Sequence, residues 1–345
     1  MCLLIVVNRM TDANIGILFD SANSNQYFRI FAPAMAYLGE IISIGVAICW
    51  TIASLWSEYS SKRLGASVMN LWRMGFSVLM YAAMCWIFLG RPWPVYAGGS
   101  TWALLVLSGF IGFFVGDLCL LGGYVLVGAR LTQLFQTLAP AFAAFFGWML
   151  MGQNLGWKSL IAMGITLIGI GITVLGQGEK HKLSLQIPAK GVILGVAAAL
   201  CQGFGLVISG MALGRYMAEI PAGVVDKVAP VIPFSANMIR CISGFLAALL
   251  MMVFTRRMKE VMAATKDSKS MLALVIVVIF GPVVGVGFSL MALRYTAAGI
   301  ASTLQALTPI LLILPSHWMF GEKLTWRSLL GALVSVAGVS LFFLL

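Results

Sequence analysis

Long apolar runs alternate with short polar connections along almost the whole chain. Runs of spanning length fall near residues 40–57, 68–90, 101–121, 131–151 and 157–176, and again near 191–213, 230–254, 271–293, 299–320 and 325–345. Inside lipid, backbone N–H and C=O groups have no water to bond, so each run is predicted to be a helix that satisfies them internally. A bilayer-spanning helix takes about 20 apolar residues, and these runs are of that order. Between the two sets lies a polar stretch from Gln177 to Lys190, with Lys180, His181, Lys182 and Pro188. The boundary between the third and fourth runs is the least marked, with Gly122, Gly123 and Arg130 as its only punctuation. The expected architecture is an all-α integral membrane protein of about ten transmembrane helices.

The start of the chain departs from this pattern. Asp12, Asn14, Asp20, Asn23, Asn25 and Gln26 are interspersed with short apolar stretches. Met1–Val7 is too short for the apolar part of a signal peptide and lacks the basic start of one. The expected organisation is a poorly structured extension over 1–36, a five-helix unit over 37–176, a linker over 177–190 and a second five-helix unit over 191–345. Met35 is a natural beginning. The extension then reads either as a start assigned too early or as a loosely held cytoplasmic or interfacial tail.

Composition narrows the function classes. Of 345 residues, 61% are hydrophobic and 10% charged, against about 45–50% and roughly 25% in a soluble domain. A soluble enzyme, a nucleic-acid-binding domain and a disulfide-rich secreted module are thereby excluded. The net charge of +11 comes from 22 Lys+Arg and 11 Asp+Glu. In a soluble protein it would point to nucleic acid. Here the basic residues lie mostly in connections, where they orient helices and meet anionic headgroups. Cys2, Cys49, Cys85, Cys119, Cys201 and Cys241 are scattered singly, with no metal-ligand spacing, so no disulfide framework and no metal site is expected. No Walker, GxSxG, HExxH or EF-hand pattern occurs, which disfavours ATP-driven transport by this chain and the familiar hydrolases. No cofactor is expected.

The chain repeats itself. A shift of 169 puts Pro140 on Pro309, Gln136 on Gln305, Gly152 on Gly321, Trp157 on Trp326, Gly169 on Gly338, and Gly112 and Gly116 on Gly281 and Gly285. No gap is needed over about 60 residues. A shift of 167 puts Asn70-x-x-Arg73 on Asn237-x-x-Arg240. An odd number of helices per copy makes the two enter the membrane from opposite sides, as two inverted five-helix repeats. That architecture belongs mainly to transporters, with the substrate site between the repeats near the bilayer midplane.

At these residues the chain resembles the EamA family of the drug/metabolite transporter superfamily. The matching stretches are GEIISIGVAICW at Gly39–Trp50, NLWR at Asn70–Arg73, LFQTLAPAFAAFFGWMLMGQNL at Leu134–Leu155, LQALTPILLILPSHWMFGEKL at Leu304–Leu324 and GALVSVAGVSLFF at Gly331–Phe343. The resemblance covers roughly 37–345 and recurs in both halves. It implies a multi-pass transporter of the plasma (inner) membrane, without naming the substrate. The family's Gly-Glu after the fourth helix of a half is kept as Gly321-Glu322 but reads Gly152-Gln153 in the first half, and the connection Gly214–Phe234 is longer and more charged than usual. The resemblance also implies cytoplasmic termini. The basic residues disagree: that orientation places Lys62, Arg63, Lys180, Lys182, Lys190, Arg256, Arg257, Lys259, Lys266 and Lys269 outside, against Arg91, Arg215, Lys227 and Arg294 inside.

Several residues are candidates for chemistry. Arg73 and Arg240 lie inside apolar helices, where a charge is expensive and faces a cavity or partner; they read either as guides for an anionic or zwitterionic group, or as an architectural pair that snorkels or binds carbonyls. Asp117 is matched by Val286 in the second half. Such an asymmetric intramembrane acid suits proton coupling or cation recognition, unless it is simply paired with an arginine. Gln136 and Gln305 precede Pro140 and Pro309 by one turn, and proline removes the hydrogen bond to the carbonyl a turn earlier. Amide and freed carbonyl would form a neutral polar site, with the prolines as flex points, or the kink would serve packing alone. Trp50, Trp72, Tyr124 and Tyr295 are candidate aromatic walls or interfacial residues; His317 and Glu40 are weaker candidates. Gly112-x-x-x-Gly116 and Gly281-x-x-x-Gly285 let helices approach closely, and Gly169-x-Gly171 is of the same kind.

The expected function is secondary transport, with export of a small amino acid-like or drug-like metabolite by alternating access between two inverted repeats. A non-transporting scaffold or sensor of the same fold is the alternative, and an intramembrane enzyme lacks clustered catalytic groups. Expected partners are a small-molecule substrate, membrane lipid and a coupling proton, with no nucleic acid; a homodimer is left open.

Overall fold

The computed structural model describes residues 38–152, 157–175, 188–292, 304–321 and 325–344. Among them every regular element is helical. In the first half these are Leu38–Leu64 (α1), Ala66–Leu89 (α2), Gly99–Gly109 (α3), a π-helical segment Phe110–Gly116, Asp117–Gln136 (α4), Ala139–Met151 (α5) and Trp157–Leu175 (α6). The second half holds Ala189–Glu219 (α7), Val225–Val228 (α8), Ile232–Phe254 (α9), Met258–Ala264 (α10), Ser268–Val278 (α11), a second π-helical segment Ile279–Val286, Gly287–Ala292 (α12), Thr308–Leu311 (α13), Ile313–Phe320 (α14) and Trp326–Leu344 (α15). Six stretches are long and apolar enough to cross a membrane: Leu38–Leu64, Ala66–Leu89, Gly99–Gln136, Ala189–Glu219, Ile232–Phe254 and Ser268–Ser289.

Three boundaries differ from those read in the sequence. The run near 40–57 continues as helix to Leu64, because its last turns bury Ser57, Glu58, Ser60 and Ser61 against neighbouring helices. The 38-residue stretch Gly99–Gln136 would rise about 57 Å as one straight helix, far more than the roughly 30 Å of hydrocarbon. It breaks at Gly128, with φ 84° and ψ 163°, a backbone conformation open to glycine. Gly122 and Gly123 stay helical. Finally, α7 runs to Glu219 through residues the sequence assigned to a connection. Its Glu219 carboxylate accepts from the Gly98 N–H at 2.6 Å and the Thr101 hydroxyl at 3.0 Å, satisfying the start of α3.

Large apolar side chains face outward, among them Leu79, Trp86, Ile87 and Phe254, while α1 buries glycine, alanine, serine and threonine. Lipid tails are as apolar as leucine, so helices in a membrane associate through close contact of small residues and through hydrogen bonds. The Ser43 and Thr51 hydroxyls donate to the carbonyls of Gly39 and Ala47, each at 2.8 Å.

Helix pairing follows the repeat. The first π segment and α3 pack on α7, and the second π segment and α11 pack on α1. α2 packs on α9, and α6 on α15. At this last contact a Cβ on Gly169 would stand 2.3 Å from the Ser335 nitrogen, and one on Gly338 would stand 2.5 Å from the Thr166 nitrogen. A shift of 169 carries Thr166 to Ser335 and Gly169 to Gly338, so each contact is the other with the copies exchanged.

Candidate functional site

The two π-helical segments occupy matched positions, since Phe110–Gly116 shifted by 169 falls within Ile279–Val286. A π turn disturbs the regular backbone ladder, and such segments occur often at functional sites. Here side chains of α2 serve the disturbed carbonyls of both. Asn70 donates through Nδ2 to the carbonyls of Phe113 at 3.2 Å and Phe114 at 3.5 Å. Tyr81 donates its hydroxyl to the Pro282 carbonyl at 2.7 Å. Phe113 and Pro282 are themselves repeat equivalents. Pro282, which has no N–H to give to an α ladder, is the one sequence signal for these segments, and it is present in one copy only.

The glycine pairs lie inside them. A Cβ on Gly112 would meet the Gly205 Cα at 4.0 Å, and one on Gly116 would meet the Cys201 Cβ at 2.9 Å. In the second half a Cβ on Gly281 would meet the Ala53 Cβ at 3.5 Å. The Trp50 ring lies directly over Gly285, whose Cβ would stand 2.6 Å from the indole nitrogen.

Beside the first π segment the structure gathers three charged residues. Asp117 opens α4 directly after the segment, is 2% exposed, and pairs with the Arg73 Nη2 of α2. Arg240 of α9 lies within electrostatic range of the same carboxylate and is 9% exposed. Its Nη1 donates to Asn237 Oδ1 at 2.9 Å, and its guanidinium carbon sits 4.0 Å from the centre of the Phe113 ring. Both side chains are held among the helices rather than at the surface of the structure. Although they are repeat equivalents, their settings differ: Arg73 faces a carboxylate, Arg240 an amide and an aromatic face. The Nε of each is buried without a hydrogen-bond partner.

The glutamine–proline pairs sit at matched helix breaks. The chain leaves the helix after Gln136 and after Gln305, turns at 137–138 and 306–307, and restarts as α5 and α13. Pro140 and Pro309 lie in the first turns of those helices, where a missing N–H costs nothing. They therefore begin helices rather than kink continuous ones. The Gln305 carbonyl is not free, as the sequence implied, because the Thr308 hydroxyl donates to it at 2.9 Å. Its side-chain oxygen accepts from Ser289 at 2.9 Å. The Gln136 Nε2 is buried with no partner. Trp72 donates to the Val261 carbonyl at 3.2 Å and ties α2 to α10; His317 is exposed on α14. Tyr295 and Glu322 lie outside the described residues.

Two sets of polar contacts between helices escaped the sequence reading. Glu58 is fully buried; its Oε2 accepts from the Ala129 N–H at 2.6 Å and its Oε1 pairs with Lys62. It thus caps the helix that restarts after the Gly128 break. Glu58 lies one residue beyond the first apolar run, and the Glu58/Lys62 spacing of four was its only signal. The second group joins Ser54, Tyr124 and Gln133, whose Nε2 donates to the Ser54 hydroxyl at 2.8 Å and the Tyr124 hydroxyl at 2.7 Å.

Comparison with known proteins agrees with this architecture. The EamA-like transporter family matches residues 37–175 and again 189–344. An uncharacterized transporter of Bacillus subtilis (strain 168), YoaV, is 28% identical over 140 residues, covering 40% of this chain and 46% of that protein. An uncharacterized transporter of Archaeoglobus fulgidus is 21% identical over 189 residues, covering 54% of this chain and 63% of that one. Between about half and two-thirds of these relatives' lengths is thus spanned. A protein of known crystal structure shares the fold with a TM-score of 0.55 at 14% identity, over 88% of this chain and 95% of that one. The family matched twice, the apolar helices and the transporter relatives together define a multi-pass plasma-membrane protein, and the chain belongs to the EamA-like transporter family.

Proposed function

We propose that this transporter is a secondary exporter of a small amino acid-like or drug-like metabolite, built as ten transmembrane helices in two inverted repeats that alternate access to a site between them. The observation that carries this reading is the charged group of buried Asp117 and Arg240 with the part-buried Arg73, contributed by both halves of the chain. Charges inside an apolar membrane domain are costly and mark substrate or ion pathways. The reciprocal contacts of Gly169 and Gly338 support a two-fold relation between the copies, and five helices per copy makes that relation an inversion. Gln136, Gln305 and Trp50 complete the pathway wall, Tyr295 belonging to it by the sequence reading alone. Pro140 and Pro309, at matched helix breaks, serve as flex points, and the glycine pairs of the π segments are the surfaces on which helices slide. Asp117 is the site of proton coupling.

The test is a thermal-stability screen of the purified chain in detergent against metabolite pools, followed by flux of each hit in proteoliposomes. A ligand that binds only the folded state stabilises it by about 2.7 kcal/mol at a hundred times its Kd. A hit that is also carried across the bilayer is the expected result. A hit that binds without flux makes the chain a sensor. No hit from any pool in a folded sample contradicts the transporter reading.

A further inference from the structure

The charge centre is not balanced. The ion pair of Arg73 and Asp117 neutralises one cation and leaves Arg240 over. Among the described residues no carboxylate makes an ion pair with Arg240. Its contacts are a neutral amide oxygen, Asn237 Oδ1, and the face of the Phe113 ring. Asp117 acts on Arg240 only from beyond ion-pair distance; a buried cation short of counter-charge is costly, and an amide and a ring compensate only part of that cost.

The unused side of the guanidinium has a definite shape. Nη1 is occupied by Asn237, while Nε has no partner. Nη2 faces Gly112, where a Cβ would stand 3.4 Å away, and the Gln202 side-chain oxygen lies 3.9 Å from the same position. The glycine places no side chain against Nη2 from that position, while Nε is covered but makes no hydrogen bond. Two parallel N–H groups on one guanidinium edge match the two oxygens of a carboxylate. Within the transporter reading, on which this step rests, we propose that the Nε–Nη2 edge of Arg240 binds the carboxylate of an anionic or zwitterionic substrate. The bound carboxylate supplies the charge that the centre lacks. Nε is closed to solvent in this conformation, so the substrate reaches it as the two halves move apart. The Arg73–Asp117 pair stays intact beside it, which makes the two equivalent arginines unequal in role: Arg73 holds the acid and Arg240 holds the ligand.

Matched probes test this: each amino acid and each short monocarboxylate against its own primary amide, at equal ionic strength, read by melting of the full chain in detergent. The expected result is that at least one carboxylate stabilises the protein and its amide does not. Arg240→Gln then weakens apparent affinity for that carboxylate by roughly 10–100-fold, the range for hydrogen bonds to a charged group, and Arg240→Lys keeps part of it. Equal shifts from carboxylate and amide, an equal shift from chloride, or no shift from any carboxylate would overturn the proposal on the wild-type chain alone, whether or not the variants fold. A neutral or cationic compound carried equally by wild type and Arg240→Gln would overturn it while leaving the transporter reading standing. Absence of any ligand and any flux would remove both.

Discussion

The Ser335 hydroxyl donates to the Thr166 carbonyl oxygen at 3.4 Å, and these two residues are the same position of the two copies. On either side of them Gly169 lies on Ser335 and Gly338 on Thr166. When residue i of one copy meets j of the other and j meets i, the interface is self-complementary, as a two-fold axis requires. α6 and α15 thus bring the two halves together across residues that the duplication itself supplied.

Gly169→Ala tests this contact. Its methyl would stand 2.3 Å from the Ser335 backbone nitrogen, so the helices must part, and overpacking costs about 1–3 kcal/mol. Gly164→Ala, with nothing within 4 Å of the new carbon, is neutral or stabilising by up to about 1 kcal/mol. Melting of both variants in detergent compares them. Equal melting would mean that the close contact is absent.

Glu58 holds the break at Gly128 from a distance of some seventy residues in sequence. Glu58→Ala leaves the buried Ala129 N–H without an acceptor, at a cost of about 1–3 kcal/mol. Glu58→Gln retains an acceptor and loses less. The order wild type, Gln, Ala in unfolding midpoint is the expected outcome; Ala equal to wild type would show that the cap contributes nothing.

Asp117→Asn leaves Arg73 facing a neutral amide. If protons couple at this residue, the variant still binds ligand but its flux no longer depends on pH. Measured in proteoliposomes with a substrate found by the pool screen, an unchanged pH profile would remove Asp117 as the coupling group. Asp117→Ala, which breaks the buried pair outright, is expected to lose about 3–5 kcal/mol of stability as well.

Just before the apolar stretch Ser268–Ser289, Asp267 caps α11, accepting from the Ser270 N–H at 3.2 Å and hydroxyl at 2.8 Å, and binds Arg63 Nε of α1 at 2.8 Å. The hydrogen bonds from Arg63 and Ser270 hold its carboxyl down at about 2, below the usual value of about 3.9. A depressed native pKa contributes stability that is full above the unfolded value and is lost as pH falls through the folded one. The melting temperature of wild type is therefore expected to fall between pH 4 and pH 2 more steeply than that of Asp267→Asn. Parallel acid limbs would show that the cap and ion pair carry no linkage.

Much of this was legible in the sequence, for identifiable reasons. Apolar runs dictate helices in lipid, and the spacing of 169 that matches Pro140 with Pro309 places the helix breaks at the same point of each half. Chemistry that depends on contacts between runs was not legible. Asp117 could be singled out as asymmetric, but its pairing with Arg73 joins α2 to α4, and no pattern along one helix reveals it. The sequence placed the boundary at Gly122 and Gly123 and passed over Gly128, since the break needs the Glu58 cap as well as a glycine. The π segments were hidden because Pro282 marks only one of them.

Trp157 and Trp326 offer the most direct test of an inversion of the two copies. They are repeat equivalents, begin α6 and α15, and are 69% and 71% exposed. Trp157→Cys and Trp326→Cys, each introduced into a chain with its own cysteines replaced, are to be labelled with a membrane-impermeant maleimide in sealed cells and in lysed ones. With inverted copies, one cysteine reacts from outside and the other only after lysis. Labelling of both from the same side would contradict the inversion.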